Sequence, residues 1–237
     1  MPRTIFFLGG DSYPGDQPTE DALRLALQGP DSTFVTHEDV FNSASDTAGP
    51  GRIDAKAKVL EQAIRDCRPG RDIFLTGRSA GARAATMAAQ HCRVTAIACM
   101  SYPFRRPRRL LETKRFGHLR TLETPMLLLQ GADDDYGALE ITEHYQLSPA
   151  IRLKFVPGNH NIKAAEPQGA AVVPLITAFI NGGWRETGRE LEGFDEDFYR
   201  STYPEVAGLI AAGQFASGED HFRKAGRKEC RIYRIRY

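Results

Sequence analysis

Residues 72–91 read "DIFLTGRSAGARAATMAAQH". An apolar run ends in a cluster of small residues around one serine, and an alanine-rich segment with helical character follows. A strand that turns sharply into a helix needs small residues at the turn, because larger side chains there collide with the neighbouring strand or helix. Gly77, Ala80 and Gly81 supply them. Ser79 lies at the centre in the order G-x-S-x-G, which holds a hydroxyl clear of the backbone. Two readings compete, a nucleophile on a strand-to-helix elbow and an ordinary glycine-rich turn, and the rest of the chain decides between them.

Working outward, short apolar runs recur at 4–10, 33–40, 72–77, 94–100, 125–131 and 151–158. Most are continuously apolar, as strands covered on both faces of a parallel sheet must be. The segments between them carry helical spacing at 19–28, 54–67, 79–91, 137–146 and 167–181. This alternation predicts an α/β fold, a doubly wound, mostly parallel sheet with right-handed crossovers. Near residue 185 the pattern changes, and two helical stretches, about 203–213 and 217–226, replace the strands. The expected division is a main α/β domain over 1–185 and a small helical appendage over 190–237. The basic run from 223 onward reads as a solvated edge.

Composition narrows the function. With 31 Lys and Arg against 30 Asp and Glu, the net charge of +1 gives no reason to expect nucleic acid or an anionic membrane as partner. The four cysteines, Cys67, Cys92, Cys99 and Cys230, lack C-x-x-C spacing and read as reduced core thiols. The apolar run at the start is too short for a signal-peptide core, and no stretch approaches a membrane span, so the expected location is the cytoplasm. "DDD" at 133–135 has neither EF-hand spacing nor a nearby His or Cys set, so neither metal nor cofactor is expected.

In an open α/β sheet, reacting groups collect at the carboxyl ends of the strands. Ser79 follows the run 72–77, "GADDDYG" follows 125–130, and His160 follows 151–156. All three fall on one edge, in the chain order serine, acid, histidine. A serine hydroxyl is a weak nucleophile at neutral pH. His160 would take its proton, and a buried carboxylate would hold the imidazole in the correct tautomer. The residues alone leave Asp133, Asp134 and Asp135 open as the acid. The expected oxyanion donors are the amides of Ala80, at a helix start, and Gly10, in "LGGDSYPG". His37, at a strand end, is a candidate to line the pocket. Arg105 and Arg106, in "RRPRRLLETKR", are candidates to attract an anionic substrate. His91, His118, His144 and His221 read as solvated.

The elbow "TGRSAGARAATMAA" and the segment "SYPFRRPRRLLETKRFGHLRTLETPMLLLQGADDDYG" resemble the compact, lidless α/β-hydrolases related to dienelactone hydrolase. Within that group the likeness is to the testis-expressed and histone-acetyltransferase-complex hydrolase-like branch. The resemblance covers residues 4 to about 181. It implies a serine hydrolase acting on an ester, thioester or similar acyl bond, and it singles out Asp134, third after Gly131, as the acid. Two departures stand out: "LGGD" replaces the usual H-G-x-G of the first loop, and Ala82 replaces a glycine. "FDEDFYRSTYPEVAGLIAAGQFASGEDHFRKAGRKECR" is similar to a helical module attached to bacterial glycosyltransferases. That similarity implies a bacterial source, acylated glycans as well as small molecules as substrates, and a protein partner for the helices. The competing expectation is a scaffold that keeps the hydrolase fold, binds such a ligand and performs no chemistry.

Overall fold

The computed structural model describes residues 2–41, 53–109, 112–162, 172–182 and 194–226. Six strands form one parallel sheet: β1 (Arg3–Leu8), β2 (Ser32–Val35), β3 (Asp72–Arg78), β4 (Ala96–Met100), β5 (Met126–Gly131) and β6 (Ile151–Val156). Their order across the sheet is β2-β1-β3-β4-β5-β6, so the chain reverses its direction of winding after β2. Alternation along each strand explains why the runs are continuously apolar. Phe6 and Leu8 of β1 and Met126 and Leu128 of β5 belong to one core cluster, while Ile5, Phe7, Leu127 and Leu129 belong to the other.

Helices cover both faces. α3 (Ile53–Arg65) and α4 (Ala80–Ala88) place Leu60, Ile64, Ala82, Ala85 and Ala88 on the first. α1 (Gln17–Leu27) and α7 (Val172–Ile180) place Leu23, Leu27, Ile176 and Ile180 on the second. Burying each large aliphatic side chain stabilises the fold by roughly 1.5–3 kcal/mol. The alanines of α4 have another purpose, since they let the helix lie close to β3 and β1. A Cβ added to Gly81 would stand 1.9 Å from the Leu8 carbonyl oxygen, which only glycine avoids.

Several boundaries differ from the pattern reading, each for a local reason. The run 33–40 is a strand only to Val35, after which α2 (His37–Phe41) begins. Thr36 caps that helix reciprocally with Asp39: the Thr36 amide and hydroxyl donate to Asp39 Oδ2, and the Asp39 amide donates to Thr36 Oγ1. The segment 137–146 is mostly turn, with Gly137 at φ 138° and a single short helix, α6 (Ile141–His144). The basic loop after β4 carries a short helix, α5 (Thr113–Phe116), and a 3₁₀ turn over Gly117–Arg120. The expected helix 167–181 is seen from Val172 as α7, and its residues 167–171 lie outside the described residues. So do the junction around 185–190, the basic run from 227 and Cys230.

Beyond the sheet come α8 (Glu196–Thr202), α9 (Pro204–Ala211) and α10 (Gly218–His221), the last continuing into a π-helical turn over Phe222–Gly226. Asp195 and Ser217 cap α8 and α10 through their side chains. Tyr199, Val206 and Phe222 form a small core, and Phe198 and Tyr203 pack against the larger one. His221 is buried and bonds the Tyr199 hydroxyl at 3.0 Å, which corrects the solvated reading. Among the described residues no helix is long and apolar enough to cross a membrane.

Candidate active site

The carboxyl ends of β3, β5 and β6 bring the serine, acid and histidine together. Ser79 follows β3 at φ 51° and ψ −117°, a strained region for a residue with a side chain. Its amide donates to the Met100 carbonyl, which helps to hold the turn. From this position Ser79 Oγ stands 3.0 Å from His160 Nε2. On the far side of the ring, His160 Nδ1 lies 3.0 and 2.9 Å from the two carboxylate oxygens of Asp134. A carboxylate there accepts the Nδ1 proton, and Nε2 is left to accept from the serine hydroxyl.

Asp134 is buried, whereas Asp133 and Asp135 are exposed. Gln130 Nε2 donates to Asp134 Oδ2 at 2.8 Å and the Tyr136 amide to Oδ1 at 2.8 Å. These bonds fix the carboxylate plane, and the Tyr136 ring lies on the imidazole at 4.0 Å between centroids. Gln130 and Tyr136 are contacts that spacing alone does not announce.

Ala80 is the first residue of α4, so its amide has no acceptor within the helix and forms part of the positive end of the helix dipole. Gly10 behaves differently from expectation. Its amide donates to Asp16 Oδ2 at 2.6 Å in a buried bond, so it is not free to receive an oxyanion. The Gly9 amide is likewise engaged, donating to His37 Nδ1 at 3.0 Å.

That bond gives His37 a task other than lining a pocket. Its ring props the first loop, stacked on Tyr13 at 4.0 Å. Burial, aided by the charge of Lys56, lowers its pKa from 6.5 to about 4, so the ring is neutral. Arg105 and Arg106 also have other partners than a substrate. Arg105 pairs with Glu140 at 2.7 Å, and Arg106 pairs with Glu112 at 3.0 Å.

His118 is half-buried rather than solvated, and its Nε2 lies 2.9 Å from Thr86 Oγ1. Burial, with the Arg83 charge, lowers its pKa to about 4. His91 and His144 are exposed. Cys99 is fully buried in β4, and burial pushes its thiol up, away from the reactive thiolate.

With this geometry in view, comparison with known proteins is informative. Residues 38–181 match the family described as alpha/beta hydrolase domain. A hydrolase of the alpha/beta superfamily from Xanthomonas campestris superposes with a TM-score of 0.57 at 15% identity, covering 77% of this chain and 99% of that one. A CIB-like hydrolase from Thermoplasma acidophilum gives 0.58 at 16%, covering 76% and 86%. A second Xanthomonas campestris protein, described as a serine hydrolase without a lid, gives 0.52 at 19%, covering 76% and 80%. At such identities the likeness is one of fold. No curated protein matches the chain.

Proposed function

The chain belongs to the alpha/beta hydrolase domain family, and from that membership we propose that it is a serine hydrolase cleaving an ester, thioester or related acyl bond through Ser79, His160 and Asp134. One observation carries the reading. A serine in a strained turn, a histidine and a buried carboxylate form an unbroken hydrogen-bond chain at three separate strand ends. A scaffold that only binds has no physical need of that chain.

In this mechanism His160 Nε2 takes the proton of Ser79 Oγ as the oxygen attacks the acyl carbon. Asp134 holds the ring and stabilises the imidazolium that forms. The Ala80 amide at the start of α4 donates to the developing oxyanion. His160 then returns the proton to the leaving alcohol or thiol, and water, activated by the same ring, releases the acyl group from Ser79.

Because Arg105 and Arg106 are already paired with carboxylates, neutral acyl esters and thioesters of small molecules fit the proposal better than strongly anionic ones. The C-terminal sequence similarity favours acyl groups on sugars within that class. The lidless serine hydrolase from Xanthomonas campestris gives the reading structural company.

The test is labelling by a fluorophosphonate probe, comparing the parent chain with Ser79→Ala and His160→Ala. Labelling of the parent, lost in both variants, is the expected result. A folded parent that resists the probe would favour the binding scaffold instead.

A further inference from the structure

Directly before Ser79, the side chain of Arg78 runs beneath the site and is 4% exposed. Its guanidinium joins three segments distant in sequence. Nη1 donates to Asp16 Oδ1 at 2.7 Å and to Ser12 Oγ at 3.1 Å, both in the first loop. Nη2 donates to the His160 carbonyl oxygen at 3.0 Å and to Asn161 Oδ1 at 2.8 Å, both in the loop after β6. Asp16, equally buried, passes the connection on: its other oxygen accepts from the Gly10 amide. A Cβ on Gly10 would lie 3.1 Å from Ser79 Cβ, so this loop rests against the elbow itself.

A buried ion pair is weak support for stability, since desolvation of two charges offsets most of their attraction and apolar residues of similar volume often serve as well. What such a pair supplies is geometry. A planar fork with two arms in fixed directions ties two loops at once, which a lysine ammonium cannot reproduce. The elbow, the histidine loop and the first loop all end on this one cation.

We infer that Arg78 and Asp16 are positioning residues that fasten the histidine loop and the first loop to the serine elbow. They hold Ser79 and His160 in register before any substrate arrives. The inference rests on the serine-hydrolase reading and adds to it the parts that keep the reacting pair in place.

The experiment measures saturation kinetics of labelling by an alkyl fluorophosphonate, separating the inactivation rate constant kinact from the probe's binding constant KI. The set is the parent, Ser79→Ala, Arg78→Lys, Arg78→Met, Asp16→Asn and Asn161→Ala, each checked for folding by circular dichroism and Tm. The expected losses in kinact are graded: about threefold for Asn161→Ala, about tenfold for Arg78→Lys, and about a hundredfold for Arg78→Met and Asp16→Asn, with KI within about twofold throughout. The lysine variant should recover part of what the methionine variant loses.

Folded variants that keep the parent's kinact, whatever their Tm, would overturn the inference and leave a purely structural pair. A rise in KI without a fall in kinact would also overturn it. If Arg78→Met and Asp16→Asn do not fold, Arg78→Lys and Asn161→Ala decide the question, because Asn161 is exposed and its loss removes one bond of the Nη2 arm while the one to the His160 carbonyl stays. A parent that is not labelled, or is labelled equally after Ser79→Ala, overturns the serine-hydrolase reading itself, and this inference with it.

Discussion

Asp134 meets His160 with both carboxylate oxygens, 3.0 and 2.9 Å from Nδ1, while its neighbours Asp133 and Asp135 point into solvent. Replacing Asp134 by Asn keeps the shape and removes the acceptor that selects the tautomer. Turnover or probe labelling should fall by about 10³–10⁴-fold. Asp133→Asn and Asp135→Asn should keep the parent's rate, and a large loss in either would reassign the acid.

The packing of α4 onto β1 leaves no room for a side chain at Gly81, where an added Cβ would stand 1.9 Å from the Leu8 carbonyl oxygen. Gly81→Ala should lower unfolding free energy by about 3 kcal/mol or more. Gly208, exposed inside α9 with nothing within 4 Å of an added Cβ, should respond in the opposite sense. Gly208→Ala is expected to raise stability by about 0.5–1 kcal/mol, because alanine loses less backbone freedom on entering a helix. Urea titration of both variants measures the contrast.

Acid should destabilise the protein before its carboxylates titrate. In the folded chain burial lowers the pKa of His37 and His118 to about 4 from the usual 6.5. Between those values the unfolded chain binds more protons, so stability is full above about pH 6.5 and falls as pH drops toward 4. Urea titrations at about pH 7 and about pH 5 should show the fall, and His118→Gln should make it shallower. A slope unchanged in that variant would mean that His118 is already charged when folded.

Arg105 and Arg106 stand near the expected substrate side but are matched by Glu140 and Glu112. With both guanidinium groups already neutralised, the half-buried Arg105 by Glu140 and the exposed Arg106 by Glu112, Arg105→Gln and Arg106→Gln should leave the ratio of rates on neutral and anionic esters within about twofold of the parent. A selective loss on the anionic ester would restore these arginines to the substrate site.

Much of the architecture is legible in the residues. Ser79, Asp134 and His160 each follow an apolar run, and parallel strands in a doubly wound sheet have no choice but to deliver their ends to one edge. Short-range signals carry further than the apolar pattern alone: "THED" at 36–39 is a capping box that announces α2, though the run 33–40 reads as one strand. What stays hidden depends on how loops fold back on themselves and on one another. The Gly10 amide looks free until Asp16 is known to fold back on it, and Asp16 does so while bonded to Arg78 from β3. Glu140 reaches Arg105 from the loop after β5, whereas Glu112 folds back on Arg106 within the same loop, six residues on. Isolated histidines such as His118 and His221 carry no period, so burial and solvation cannot be told apart without the packed structure.

The backbone of Ser79, held at φ 51°, keeps on the order of 1–3 kcal/mol of the folding free energy tied up in the elbow. Glycine would adopt that conformation without strain but would carry no hydroxyl. Any lineage or library selected for heat tolerance alone would therefore drift toward glycine at position 79. Its hardiest descendants would be the ones that had given up the proposed chemistry, so a stability screen on this chain needs an activity selection beside it.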